Sequence, residues 1–271
     1  MVVSTPTGDA ARALDVLMQA ARAAGAMALG HFRRGATTSA KVFWKDGGSP
    51  VTVADHEADA FLRDRLSRAF PDAGWLSEET ADDARRLDRR HVLVVDPIDG
   101  TRAFMRGDER WAVCAALVED GRPIAGVTHL PARGETFAAA RGAGATLNGA
   151  ALRVAERAEL KGARASGPKP LIEGFNAAGA GLVTMEREPS LAYRIVSVAA
   201  GRLDIAFASA RSHDWDLAAA DLILQEAGGA LTDLEGIRPL YNRPETRHPE
   251  LAAAPIALSE TLLSAARRAR R

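Results

Sequence analysis

The stretch HVLVVDPIDGT (residues 91–101) constrains the fold of this chain more than any other. Val92, Leu93, Val94 and Val95 form an apolar run of strand length that ends on Asp96, with Asp99 three residues further on. Such a run reads as a buried strand. Two carboxylates at its end are costly unless a cation joins them. Pro97 has no N–H and a fixed φ, so it stiffens the exit. Gly100 lets the backbone turn sharply or approach a ligand, and Thr101 sets a hydroxyl beside the pair. The stretch alone also reads as a strand-to-turn transition with an N-capping Asp. Hard oxygen donors without a Cys or His cluster favour Mg²⁺ over Zn²⁺.

Other carboxylates occupy similar positions. Glu78 and Glu79 stand side by side in LSEET, just after Trp75 and Leu76; Asp216 sits at the opening of the apolar segment WDLAAAD; Asp55 sits in VTVADHEAD near an expected helix start. Each alone reads as a helix cap or a solvated acid. Together they offer four or five carboxylates at strand ends and helix starts, as two-metal hydrolysis requires.

The chain has 271 residues, 47% of them apolar, enough for one large domain or two smaller ones with a shared interface. Helical spacing predicts a helix over 9–34 and a second over 52–70, ended by Pro71. Residues 81–90 read as a charged, solvated loop. Strands are expected at 91–95, 111–118, 123–130 and 135–140, with EDGR (119–122) as a hairpin turn. ATLNGAALRV reads as another short turn between strands, and 155–189 resist assignment. Beyond them, SLAYRIVSVAAG reads as a helix, LDIAFAS as a strand, WDLAAADLILQEAGG as a helix, ALTDL as a strand, and a last helix begins near 258. The tail RRARR (267–271) reads as a frayed, solvated helix end.

Thirty-five basic and thirty-five acidic residues cancel, which leaves no electrostatic footprint for nucleic acid or an acidic membrane surface. Cys114 is the only cysteine, so an internal disulfide and a cysteine metal cluster are both excluded; in WAVCAALV it reads as a core thiol. Residues 1–10 carry no signal-peptide pattern. Leu14–Phe32 contains Asp15, Gln19 and Arg22, too polar for a membrane span. The expected compartment is the cytoplasm.

DPIDGT (96–101), SEET (77–80), WDLAAADLILQEAGG (215–229) and KDGGSPVTVAD (45–55) resemble the signatures of the inositol monophosphatase superfamily. They keep the family's order, and the resemblance spans nearly the whole chain. It implies an α+β fold, the alternating αβαβα layered sandwich of the sugar-phosphatase (inositol monophosphatase / fructose-1,6-bisphosphatase) type. Residues 1–150 would be an N-terminal α+β part carrying most metal ligands. Residues 151–271 would be a C-terminal α/β part contributing Asp216 and substrate contacts. The implied cofactor is Mg²⁺, two or three per site, and the implied reaction is phosphomonoester hydrolysis by metal-activated water.

Position by position, the resemblance implies Glu78, Asp96 and the carbonyl of Ile98 as ligands of one metal. Asp96, Asp99 and Asp216 are implied for a second, and Glu78, through waters, for a third. Thr101 and Asp55 are implied as the pair that orients and deprotonates the attacking water, with Glu78 beside them in catalysis. Gly100 and Thr101 would hold phosphate oxygens through backbone N–H groups, next to Asp99. Lys45 takes a supporting role. Ser77 departs from the family's usual glycine.

Inositol-specific members carry a glutamate shortly before the WD motif. Here no acid lies between Asp204 and Asp214, and the segment offers Arg211 and His213 instead. That exchange suits a second phosphate. PSLAYRIVSVAAGRLD (189–204) and YNRPETRHP (241–249) also resemble bacterial 3'(2'),5'-bisphosphate nucleotidases, which convert adenosine 3',5'-bisphosphate to AMP. Inositol-1-monophosphatase ranks second. Histidinol-phosphate phosphatase ranks third, through DPIDGTRAFMRG. Lithium sensitivity is implied by the resemblance alone. The expected partner is a small phosphorylated substrate, with no nucleic acid and no membrane, for a monomer or homodimer. A non-enzymatic alternative is a binding partner of transcription or RNA machinery.

Overall fold

A computed structural model of the chain describes residues 7–269. The reading of residues 1–10 falls largely outside these, as do Arg270 and Arg271 of the basic tail. The first helix, α1 (Thr7–Leu29), is followed by a hairpin of β1 (Val42–Trp44) and β2 (Pro50–Thr52), then α2 (Val53–Ala69). α1 ends five residues before the expected point, because Gly30 and Phe32 turn back through bonds to Met27 and Ala28. α2 begins with a reciprocal cap: Thr52 Oγ1 accepts the Ala54 N–H, and Asp55 accepts the Thr52 N–H.

Seven strands form the larger sheet in chain order: β3 (Gly74–Ser77), β4 (His91–Asp99), β5 (Ala112–Glu119), β6 (Arg122–Leu130), β7 (Glu135–Ala140), β8 (Ala145–Leu147) and β9 (Ala150–Ala151). A short helix, α3 (Thr101–Met105), follows β4. β3 and β4 run parallel; the other neighbours are antiparallel. The turn between β5 and β6 places Asp120 and Gly121 at φ of 47° and 75°, the two positive values that a tight hairpin requires.

The second half supplies β10 (Arg164–Ser166), α4 (Lys169–Ala177), β11 (Val183–Thr184), α5 (Leu191–Ala199), β12 (Ile205–Ala208), α6 (Asp214–Glu226), β13 (Gly229–Asp233), β14 (Leu251–Pro255) and α7 (Ser259–Ala269). Its five strands form a mixed sheet in the order β11-β10-β12-β14-β13.

Period-two alternation sorts the strands onto two faces. Leu93 and Val95 of β4, with Val113, Ala115 and Leu117 of β5, pack under α1 and α2. Val92 and Val94, with Cys114 and Ala116, face α5 and α6. Those two helices also meet Ala206, Ala208 and Ala253 of the smaller sheet, so α6 is apolar on nearly every side. The far face of that sheet, with Phe207 and Ala254, is covered by α4 and α7. The layers therefore alternate αβαβα. Ala-rich helices suit this arrangement, since small side chains let a helix lie close between two sheets.

Residues 81–90 depart from the expected solvated loop at Arg86, which is 2% exposed. Its guanidinium pairs with Asp82 and donates to Asn242 Oδ1 and the Arg243 carbonyl, tying the two halves of the chain together. Cys114 is buried, as a core thiol should be, and burial pushes its pKa up.

Asp221, inside α6, accepts from Tyr241 Oη at 2.9 Å, and burial pushes its carboxyl up to about 6. A folded pKa above the unfolded value means stability present below the unfolded pKa and lost as pH rises through the folded one. Asp221→Asn should therefore match the parent near pH 4 and exceed it above pH 6, by an amount on the order of 2–3 kcal/mol. Urea unfolding across that range checks this; equal stabilities at pH 7 would refute it.

Candidate active site

β4 carries the first two acidic groups. Its pairing with β5 shifts register between Asp96 and Asp99, where Pro97 interrupts the ladder. Asp216 arrives from the first turn of α6, held by the His213 N–H at 2.7 Å. One oxygen from each of Asp96, Asp99 and Asp216 lies within 4.8 Å of the others. Asp96 Oδ1 accepts the Ile98 N–H, whereas Oδ2 is buried without any partner. Asp99 is held by the start of α5, accepting from Ser190 Oγ at 2.5 Å, Ala192 N at 2.7 Å and Leu191 N at 3.2 Å.

These carboxylates resist ionisation together. Burial, then the charges of Glu78, Asp99 and Asp216, pushes Asp96 well above the usual carboxylate range. Burial and Asp99 do the same to Asp216. Asp99 is also raised by burial, in spite of its three hydrogen bonds. An orphaned buried oxygen within an all-oxygen acidic cluster fits a hard divalent cation.

Glu78 directly follows β3 and lines the same cavity, but it pairs with Lys45 and lies outside the tight cluster. Lys45 Nζ bridges Glu78 at 2.9 Å and Glu79 at 2.8 Å. Burial pushes Glu79 up to about 7, against its bond from Lys45. Ser77 turns away from the carboxylates and donates to Asp59 Oδ1, while Thr80 takes Asp59 Oδ2. The hydroxyl thus anchors the Glu78–Glu79 turn to α2.

Thr101 Oγ1 lies 3.2 Å from Asp55 Oδ1 and 3.1 Å from the Ile98 carbonyl. Asp55 Oδ2 takes the Thr52 N–H and hydroxyl, so one carboxylate both caps α2 and faces Thr101. Burial raises the pKa of Asp55. Gly100 adopts φ 96°, and a Cβ there would press on the Arg110 carbonyl at 3.3 Å and on Ser190. Glycine keeps this corner narrow.

The cavity above these groups measures about 440 Å³. Glu78, Asp96, Asp99 and Asp216 line it together with Gly100, Thr101 and three arginines, Arg102, Arg106 and Arg187. Arg211 does not line it; it is exposed, at φ 82°, with its N–H on the His248 carbonyl. His213 reaches the site through its backbone N–H, and its ring stacks on Trp215. Sequence reasoning missed Ser190 as a partner of Asp99, although a serine opening a helix is a capping signal. It also missed Arg106 and Arg187, whose approach to the cavity has no local signature.

The family model of the inositol monophosphatases matches residues 9–271. This chain belongs to the inositol monophosphatase family. It is 34% identical to an inositol-1-monophosphatase of Rhizobium meliloti over 233 residues, covering 82% of this chain and 86% of that one. Identity is also 34% over 233 residues to a Nus factor SuhB of Xylella fastidiosa, covering 83% and 82%. Other relatives are named histidinol-phosphatase and fructose-1,6-bisphosphatase/inositol-1-monophosphatase. Among solved structures, an IMPase of Thermotoga maritima superposes with a TM-score of 0.80 at 27% identity, covering 95% of this chain and 97% of that one. Members of the inositol monophosphatase family are metal-dependent phosphatases, and this chain is a phosphoric monoester hydrolase acting on small phosphorylated substrates. Among the described residues no helix is long and apolar enough to cross a membrane.

Proposed function

We propose that the chain is a Mg²⁺-dependent phosphomonoesterase whose two principal cations share Asp96. The observation that carries this reading is the convergence of Asp96, Asp99 and Asp216, together with a buried Asp96 oxygen, Oδ2, that has no hydrogen-bond partner. Asp96, Asp99 and Asp216 would hold one ion; Asp96, Glu78 and the Ile98 carbonyl would hold the other. Glu78 would reach a third ion through waters. When bound, such ions supply Lewis-acid activation of water and charge stabilisation of the leaving oxygen.

The chain's own groups complete the work. Thr101 Oγ1 accepts a hydrogen bond from the attacking water and passes its own proton towards Asp55 Oδ1, 3.2 Å away. The raised pKa of Asp55 makes it a better proton acceptor. The N–H groups of Gly100 and Thr101 bind phosphate oxygens at the corner that Gly100 keeps narrow. Lys45 offsets the charge of Glu78 and Glu79. His213 holds Asp216 through its backbone.

For the substrate we rank a 3'(2'),5'-bisphosphate nucleotide first, inositol 1-phosphate second and histidinol phosphate third. Three arginines around the cavity favour a second anionic group and disfavour the ammonium of histidinol phosphate. EDTA dialysis should abolish phosphate release from all three, Mg²⁺ should restore it, and Li⁺ should inhibit it. Full turnover after exhaustive chelation would refute the metal assignment. Relatives named Nus factor SuhB motivate a second, non-catalytic reading. A partner captured equally by the parent and an inactive Asp99→Asn variant would support it.

A further inference from the structure

The lining of the cavity is divided in charge: four carboxylates, Glu78, Asp96, Asp99 and Asp216, and three guanidiniums, Arg102, Arg106 and Arg187. Arg102 is partly committed, donating to the Gly48 carbonyl and lying over Trp44. The side chains of Arg106 and Arg187 make no hydrogen bond or ion pair to any described residue, and the acid that feels the Arg106 charge, Asp108, is itself paired with Arg110. Acids nearby could have quenched them but are taken up elsewhere. Arg110 pairs with Asp108 at 2.7 Å, with Glu186 at 2.8 Å and with Glu188 at 3.5 Å.

The backbone around Arg187 is also held with unusual completeness. Buried Ser166 donates to the Glu186 carbonyl at 3.0 Å and accepts the Glu188 N–H at 3.3 Å. Arg194, 2% exposed on α5, donates to the Glu188 carbonyl at 2.5 Å and the Phe207 carbonyl at 2.9 Å. Both neighbours of residue 187 are pinned from inside and their side chains are engaged by Arg110, while the central guanidinium stays free at the cavity. On the other side, Arg106 ends α3 with its N–H on the Ala103 carbonyl. The next residue, Gly107, packs so closely on the Arg33 and Ala36 backbone that a Cβ would not fit.

We propose that Arg106 and Arg187 are specificity-determining residues that hold a second phosphate of the substrate while the first sits at Gly100 and Thr101. This rests on the phosphatase reading above and moves the second-phosphate role from Arg211 to these two residues. Free guanidiniums matched to a phosphate give strong, charge-assisted contacts. The substrate class is a small bisphosphate ester, of a nucleoside or of a sugar.

Kinetics in Mg²⁺ on two matched pairs test this: adenosine 3',5'-bisphosphate against adenosine 3'-monophosphate, and fructose 1,6-bisphosphate against fructose 1-phosphate. The parent should prefer the bisphosphate of one pair by about tenfold or more in kcat/KM, and that pair identifies the source. Arg106→Gln and Arg187→Gln should each erase most of the preference through KM, leave monophosphate kcat within about twofold, and be partly rescued by Lys. Monophosphate turnover without a bisphosphate preference, or equal losses on both members of a pair, would overturn the subsite alone. No turnover of any substrate would overturn the phosphatase reading and the subsite with it.

Discussion

Asp96→Asn should lose turnover by about a thousandfold or more, yet unfold at a higher temperature than the parent in EDTA. The first effect follows from removing a carboxylate assigned to both cations. Lewis-acid stabilisation is worth several kcal/mol, and each 1.36 kcal/mol is a factor of ten. The second follows from the repulsion in the cation-free site. Asp96, Asp99 and Asp216 meet within 4.8 Å, and burial with neighbouring charges raises all three carboxyls. Folding without a cation thus requires either three crowded charges or uptake of protons. An amide at residue 96 keeps the acceptor for the Ile98 N–H, removes one charge from the cluster and puts an uncharged donor in place of the partnerless Oδ2. At an effective dielectric near 20, relief of one such contact is worth on the order of 1–3 kcal/mol.

Linkage fixes the sign of the pH dependence. Raised carboxylate pKa values mean that cation-free stability is full below the unfolded value and falls as pH rises through the folded values. In EDTA the parent should therefore lose melting temperature as pH rises above the ordinary carboxylate range, and Asp96→Asn should lose less. Saturating Mg²⁺ should stabilise the parent by mass action and the variant little. Differential scanning calorimetry with and without EDTA reads both effects. A variant that melts below the parent in EDTA would show that the cluster is not frustrated, and the argument for a cation would lose its main support.

The legibility of these features tracks how local their causes are. β4 announces itself as an apolar run, α6 as an apolar helix with Asp216 in its first turn and Gly228 and Gly229 after its end, and β5–β6 as two runs around Asp120-Gly121. Each signal lies within the element it describes. The segment 155–189 yielded nothing because β10 and β11 are strands of three and two residues in Gly- and Ala-rich sequence, stabilised by neighbours far along the chain. β14, with the sequence LAAAP, lacks alternation because both faces are buried, one towards α5 and α6, the other towards α4 and α7. The same division runs through the site. The carboxylates come in motifs, whereas Ser190 meets Asp99 across 91 positions of sequence and Arg187 is placed by Ser166 and Arg194. No periodicity encodes such a meeting.

Gly126 is the sharpest case of a tertiary cause, and Gly126→Val should weaken the fold and the site together. Gly126 lies in β6, where a Cβ would sit 3.0 Å from both the Cα and the carbonyl oxygen of Ala219. Those are backbone atoms of α6, which cannot swing aside as a side chain could. Backbone strain is not the issue, because Gly126 is not among the glycines of positive φ. The glycine is needed because α6 rests directly on the sheet. Ala219 stands one turn after Asp216, so a helix lifted at residue 219 carries its first turn away from Asp96 and Asp99. Overpacking of this kind costs typically 1–3 kcal/mol. Displacement of one carboxylate from the cluster should raise the Mg²⁺ concentration for half-maximal activity by about tenfold, within the 10–100-fold range for disturbed ligand support. Gly126→Ala, with one carbon in place of three, should show a fraction of each effect. Urea unfolding and Mg²⁺ titration of the rate separate the two consequences. If Gly126→Val unfolds earlier but keeps the parent's Mg²⁺ dependence, α6 does not transmit the packing of β6 to Asp216, and the position of that carboxylate is set by the His213 cap alone.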